Sequence, residues 1–525
     1  MKRLILLCSS YCIAHSSFAQ EPADALRFSW TTPGGSARTQ AIGSAMGSLG
    51  GDVTATFVNP AGLAFYKTGD FILSPIYQMG KTKATYYNRT ESDKKNKLVL
   101  GTTGFVIGSG GQGEKKRNVA FSLAINRMAD FNSNILYRGQ NNKSSYSQKY
   151  LEEIANNNDK DANIVSGDPV RPEDINRSYH QGTSLAFNTF WIDTVAGGTN
   201  GNFQFRTRAP FNTGLLQEQV VENRGGITEI ALGGAINTND KLMFGVSLGI
   251  PILRYERTST FTEADATSNS NNNFNFASVK ELLNTKGAGM NLKAGLIFKP
   301  QEFWRIGLAF HTPTIYGLTD TYETEITTNT ESYNGTLTDY SRDFNNDEAS
   351  VFSYTLVTPY KAIASVSYVL REVEDVTKQR GFLTADVEYV NYKSSSFSED
   401  QTDGSTSQAD KDYFPSLNQA IDRAYKGAFN FKAGGELKFT TIMLRLGAAF
   451  FGNPYKNING EKGNKLNLSG GLGYRDNGFF VDVTYVHSIQ KDVHFPYRLE
   501  DRSLYSAAHV KSNVGNVFLT IGKKF

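Results

Sequence analysis

Cysteine is almost missing from this 525-residue chain: there are two, Cys8 and Cys12, both inside the first twenty residues. Long apolar runs are missing too. After the N-terminus none reaches the roughly 18 residues that a spanning helix needs, and a mean hydropathy of −0.38 is too polar for a bundle of membrane helices. Charge of one sign is also lacking, with 54 Lys and Arg against 51 Asp and Glu; a net +3 is no electrostatic footprint for nucleic acid. The six histidines fall in no metal-binding spacing, and no Gly-x-Ser-x-Gly elbow accompanies them, which leaves hydrolytic and metal chemistry without a motif. No proline-rich or charged linker divides the chain, so one large architecture competes with several ordinary domains. If the chain crosses a membrane, it must do so as a closed barrel, because only helices and barrels satisfy every backbone group in lipid.

What is present begins with Lys2 and Arg3 ahead of Leu4-Ile5-Leu6-Leu7-Cys8, followed by Ser17-Phe18-Ala19 before Gln20. This is the layout of a secretory signal peptide over 1–19, with a short buried helix as the alternative. The exported chain would then carry no cysteine and no disulfides. Next comes a glycine-dense stretch, Gly34 to Leu63, with six glycines between Gly34 and Gly51 and the ending Asn59-Pro60-Ala61-Gly62-Leu63. Its glycines are too costly for a long helix and it lacks the alternation of a strand. It reads as a compact plug.

From about Asp70 onward, residues alternate with a period of two. Val119, Phe121, Leu123 and Ile125 interleave with small residues, and Leu242, Phe244, Val246, Leu248 and Ile250 oppose Gly245, Ser247 and Gly249. Trp304, Ile306, Leu308 and Phe310 oppose Arg305, Gly307, Ala309 and His311; Ile442, Leu444 and Leu446 oppose Arg445 and Gly447. Fourteen such strands lie near 70–79, 97–108, 117–130, 225–237, 240–254, 286–299, 302–315, 351–370, 380–397, 427–439, 441–452, 465–475, 478–490 and 512–525. Each alone would suit a soluble sandwich. The connections separate the cases: short links alternate with long polar ones, and an even strand count with tight turns on one side predicts an all-β transmembrane fold, a 14-stranded antiparallel outer-membrane β-barrel. Tyr86, Tyr87, Tyr360, Tyr392, Phe397, Tyr474 and Tyr485 are expected in its aromatic girdles. Helical spacing recurs in the loops at 147–157, 173–193 and 417–425, while 267–275 reads as a solvated loop tip.

On the odd-numbered face of the third strand, Arg127 follows Ile125. A guanidinium facing hydrocarbon costs about 2–4 kcal/mol near the midplane, so either the strand bends or bulges at Asn126-Arg127, or it has already risen above the lipid. Inward parity gathers Lys293, Arg305, His311, Lys361, Lys432, Arg445 and Arg475, with few acids beyond Glu229, Glu436 and Asp482. Such a lumen could anchor a carboxylate head group, with Lys432 and Arg445, then Lys293 and Arg305, as the candidates; pairing with hatch or wall acids is the alternative.

A signal peptide, a glycine-rich plug ending Asn59-Pro60-Ala61-Gly62-Leu63-Ala64, fourteen strands, and the run Leu123 to Asn132 together resemble the FadL family of outer-membrane long-chain fatty acid transporters. The resemblance implies a hatch over 20–68 inside a barrel over 69–525, and diffusion-driven uptake of hydrophobic molecules: capture at the outer loops, a site near the hatch, and lateral exit at a kinked third strand. Monoaromatic hydrocarbons are the alternative ligand, and an adhesin or binding barrel the alternative class. No enzyme activity, nucleotide, metal or other cofactor is implied. The partners implied are a fatty acid-like ligand, outer-membrane lipid and lipopolysaccharide, and the barrel-assembly machinery that reads a last strand ending in Phe525; the chain would be a monomer and would bind no nucleic acid. Asn59-Pro60-Ala61-Gly62 is then a turn expected to meet the break near Asn126-Arg127.

Overall fold

The computed structural model describes residues 22–110, 117–157, 175, 180–195, 203–267, 269–370, 380–400, 408–456 and 463–525. The signal-peptide segment lies outside them. Fourteen strands form the wall: β1 (Asp70–Leu73 continued by Pro75–Tyr86), β2 (Arg89–Leu100 and Thr103–Ser109), β3 (Arg117–Asp130 and Ser133–Asn141), β4 (Leu215–Thr238), β5 (Leu242–Asp265), β6 (Phe276–Phe298) and β7 (Trp304–His311 and Ile315–Asn329). The second half comprises β8 (Ser350–Val357 and Lys361–Leu370), β9 (Gly381–Asn391 and Ser396–Glu399), β10 (Gly427–Phe439), β11 (Ile442–Phe451), β12 (Lys465–Asp476), β13 (Phe479–His494) and β14 (Ala508–Lys524). Each pairs antiparallel with its neighbour, and β14 returns to β1 with Phe518 opposite Ile76 and Gly522 opposite Ile72, which closes the ring. Among the described residues no helix is long and apolar enough to cross a membrane.

Exposure alternates along the strands in the sense opposite to a soluble protein. Leu98, Phe121, Val246, Leu446 and Leu472 are 69%, 65%, 63%, 66% and 59% exposed, while the residues between them face the lumen. This apolar outer band is what lipid covers in an outer-membrane barrel. Several strands run far past it: β4 and β5 each have 24 residues, where about 9–11 suffice to span hydrocarbon. The wall therefore continues well past that apolar band. The first outer connection, expected as a long loop over 80–96, is instead a tall hairpin closed by Tyr87 and Asn88, both with positive φ (42° and 63°), a geometry that matches the right-handed twist of the flanking strands.

That extension corrects the girdle assignment. Tyr86, Tyr392 and Phe397 are buried inside the raised part of the barrel, because inward parity there meets packed loops rather than water. Tyr474 and Tyr485 do face outward. Elsewhere on the outer face, Phe303, Trp304 and Tyr368 cluster with ring centroids 5.6 and 5.0 Å apart, and Tyr360, Tyr389 and Phe429 form a second row at 6.3 and 5.0 Å.

The outer loops are filled, not open. Helices α4 (Gln148–Asn157) and α5 (Gln181–Asn188) pack around Trp191, Tyr146, Tyr150 and Phe261. The loop tip at 267–275 is pinned by the buried Phe274. Helix α6 (Gln408–Ala424) contributes Phe414, Leu417 and Ile421 to a separate apolar cluster. This second cluster also takes in Ala25, Leu26 and Phe28 from the N-terminal segment.

Candidate functional site

Residues 22–68 fold inside the ring as α1 (Pro22–Arg27), α2 (Ala37–Ala41), α3 (Ala55–Val58) and a 3-10 turn, Pro60–Phe65. Their backbone bonds to inward side chains on many strands: Ala37 N donates to Thr520 on β14 (2.7 Å), Ala37 O accepts from Thr484 on β13 (2.7 Å), Ala41 O from Ser469 on β12 (3.1 Å) and Ala45 O from Thr384 on β9 (3.1 Å). Gly47 N donates to Asp386 (3.0 Å), and Thr56 pairs with Ser122 on β3 (2.8 Å). The wall makes room with glycine: Gly434 on β10 and Gly447 on β11 face each other, and a Cβ on either would strike Ile42 or Gly43.

Asn59 caps the 3-10 turn by accepting from Ala61 N (3.1 Å), with Pro60 at its first position. Its amide donates to Gly47 O (2.5 Å) and reaches Leu296 O on β6 and Leu308 O on β7, each at 3.3 Å. Pro60 and Ala61 abut Gly245 on β5, and Gly62 lies against Leu49 and Gly50. Asn59-Pro60-Ala61 thus meets β5–β7, and Leu63 and Ala64 pack with Ala120 and Ala124 of β3 and Ala231 and Ala235 of β4, rather than with Asn126-Arg127 as expected. That part of the third strand is met by the earlier stretch: Thr32 N donates to Met128 O (3.2 Å), Asp130 N to Thr32 Oγ1 (2.9 Å), and Gly34 abuts Arg127 O. Chain direction explains the exchange, since the plug enters beside β3 and crosses the lumen before its turn.

The register of β3 against β4 shifts between Arg127 and Ala129, leaving Met128 as an extra residue. This bulge, followed by the break at Phe131-Asn132, gives Arg127 partners instead of hydrocarbon: Asp130 (3.0 Å), Gly225 O (2.5 Å) and Thr228 (3.2 Å). On its other side β3 pairs with β2 only between Val119 and Ile125. Above that point no ladder joins the two strands among the described residues. Side chains bridge the seam instead, Thr102 to Asn126 (3.0 Å), Lys95 to Asn134 (2.9 Å), Lys97 to Asp130 (3.9 Å) and Arg138 to Glu91 (2.8 Å).

The plug divides the lumen charges into two tiers. On the turn side lie Arg305 over Phe65 (4.7 Å), Arg475 over Phe480 (5.2 Å), and Arg445 clamped between Glu436 (2.6 Å) and Asp482 (2.5 Å). On the loop side lie Lys293 bonded to Glu229, Lys432 to Glu388 (2.9 Å), His311 to Val58 O (2.8 Å), and Lys465 to Thr31 O (2.8 Å). Lys361 stands opposite His311 in the ladder, and among the described residues its ammonium has neither ion pair nor hydrogen bond. Lys432 and Arg445, placed together by hairpin and parity, are separated by Ile42 and Gly43 in the intervening glycine row. Parity fixes a side but not a height.

A cavity of about 70 Å³ opens on the lysine tier, bounded by Phe28, Trp30 and Thr31 of the plug, by Met128 and Ala129 of the bulge, and by Glu229, Lys293, His311 and Lys361. Of the four candidate head-group cations only Lys293 lines it. Lys361 was legible from parity alone. Lys465 and Glu388 were missed although they continue the alternation of Asn467 and of Val387-Tyr389; Phe28 and Trp30 belong to no periodic segment and left no signal.

No family model and no curated protein matches the chain. Among solved structures, a FadL homologue from Pseudomonas aeruginosa superposes with a TM-score of 0.53 at 12% identity, over 95% of this chain and 100% of that one. The toluene transporter TodX of Pseudomonas putida gives 0.49 at 12% identity over 95% and 100%, and the toluene transporter TbuX of Ralstonia pickettii 0.44 at 13% over 94% and 98%. The chain has a FadL-like fold, a closed 14-stranded antiparallel barrel.

Proposed function

We propose that this protein is an outer-membrane channel for hydrophobic molecules bearing a carboxylate, long-chain fatty acids being the default, and that residues 22–68 act as its hatch. One observation carries the reading: the loop-side cavity brings together Lys361, whose ammonium makes no hydrogen bond or ion pair among the described residues, the rings of Phe28, Trp30 and Tyr316, and the β3 bulge at Met128-Ala129 that borders the unladdered seam. A carboxylate accepts charge-assisted bonds from an ammonium, and the aromatic cluster around Phe28, Tyr255 and Tyr316 suits an acyl chain. At about 70 Å³ the cavity holds no such chain, so Ala25, Leu26 and Phe28 must yield their apolar contacts as the ligand enters. The ligand then leaves sideways, past the bulge and between strands joined only by side chains. Monoaromatic hydrocarbons would use the aromatic rings without Lys361.

Deleting Met128 tests the exit. Removal of the extra residue lets β3 pair in continuous register and closes the seam. Oleate uptake by cells lacking other fatty acid channels should fall to the background of an empty vector, while the folded barrel keeps its heat-modifiable gel mobility. Uptake that persists with the barrel intact would overturn the lateral route.

A further inference from the structure

We propose that the outward face of β2, β1, β14 and β13 binds the phosphates of an outer-leaflet lipid. The ladder sets Lys94 opposite Lys81, Lys83 opposite Lys511, and Lys511 opposite Lys491. Directly opposed residues share a face, and this face is outward: all five lysines are exposed while Thr82, Ala84 and Val510 between them are buried. Opposed like charges destabilise a sheet. Here nothing in the protein relieves them, since none of the five ammoniums has an ion pair or hydrogen bond among the described residues.

Elsewhere on the raised wall cations meet acids, as in Arg224 with Glu222 (3.4 Å), Lys280 with Glu325 (3.7 Å) and Arg138 with Glu218 (3.6 Å); Arg254 opposite Lys286 is also a like-charge pair, but a single pair and not a row across four strands. The lysine face is set apart by its height as well. Met79, Tyr77 and Leu98 lie directly beneath it on the same strands, 37%, 44% and 69% exposed on the apolar wall. A lipid whose chains lie on that wall brings its phosphates level with Lys81 and Lys94. A soluble anion would gain nothing from Met79 and Leu98, so the occupant is a phosphorylated lipid. The inference rests on the loops facing outward from the outer membrane, but not on what the channel carries.

The test uses the full chain in dodecyl maltoside and native mass spectrometry with two probes, bis-phosphorylated lipid A and the same lipid dephosphorylated. The wild-type protein should bind the phosphorylated form at least about tenfold more tightly, given roughly one order-unity electrostatic contribution per lysine near an anionic surface, and the preference should shrink as salt is raised. Lys81→Gln, Lys83→Gln, Lys94→Gln, Lys491→Gln and Lys511→Gln combined should abolish the preference and leave oleate uptake unchanged. Equal binding of both lipids by the wild type overturns the proposal without recourse to any variant. So does a folded five-site variant that keeps the preference.

Discussion

The two tiers of the lumen hold similar numbers of cations and use them differently. On the turn side the cations are mostly arginines, with Lys524 over Tyr66 beside them (5.7 Å), and Arg445 spans two carboxylates at once through its rigid fork. Arg38 of the N-terminal segment joins the same group, 3.6 Å from Glu436, so this tier ties that segment to the wall. On the loop side the cations are lysines, point charges that pair one at a time: Glu229 takes Lys293 and Glu388 takes Lys432, leaving Lys361 near Glu388 but with no ion pair or hydrogen bond of its own among the described residues. A saturated network holds structure, whereas an unsaturated one can receive an anion.

The sharpest break in this comparison is Arg445→Ala. It strands Glu436 and Asp482 in a buried site, which costs about 3–5 kcal/mol, and should lower the thermal transition of the barrel in detergent far more than any change on the lysine tier. Next is Asn59→Ala, which removes a cap together with bonds to Gly47, Leu296 and Leu308. A loss of about 1–2 kcal/mol should loosen the hatch without unfolding the wall, read as faster entry of a small hydrophilic solute in liposome swelling; a permeability equal to wild type would free Asn59 of that role. Lys361→Gln should weaken oleate binding about tenfold and leave toluene binding unchanged, with thermal stability unaltered. Equal weakening of both ligands would return the lysine tier to a purely structural part.

The smallest effect is in the loops. Burial pushes Glu153 up, but His180 and Thr183 bond to it and hold it below its ordinary 4.5, while the Glu153 carboxylate raises His180 above its ordinary 6.5. The His180 contribution is complete below 6.5 and lost as pH rises through the raised value; the Glu153 contribution is complete above 4.5 and lost as pH falls through the depressed one. The contact of α4 with α5 should therefore be tightest between these limits, seen as slowest amide exchange at the start of α5, and His180→Gln should flatten the alkaline side of that profile. His180 is exposed, so the change is slight.

The barrel itself was legible from period-two alternation and alternating link lengths, because a strand's side-chain parity depends on nothing but position in the chain. Strand tops were not legible. Above the lipid the inward side packs against loops, so the polar residues of 80–96 looked like a loop when they form two faces of a hairpin. The bulge at Met128 had a trace in Arg127, a charge on the wrong face. Nothing local announced that Thr32 and Gly34 rather than Asn59 would meet it.

By itself, then, the sequence determined strand number, closure and the side on which each lumen cation lies, since all three follow from periodicity and from lipid's refusal of unpaired backbone. Only the tertiary structure decided height. The N-terminal segment crosses the lumen at Gly434 and Gly447 and parts Lys432 from Arg445, and the depth at which it seats depends on fits with strands far away in the chain, which no local pattern encodes.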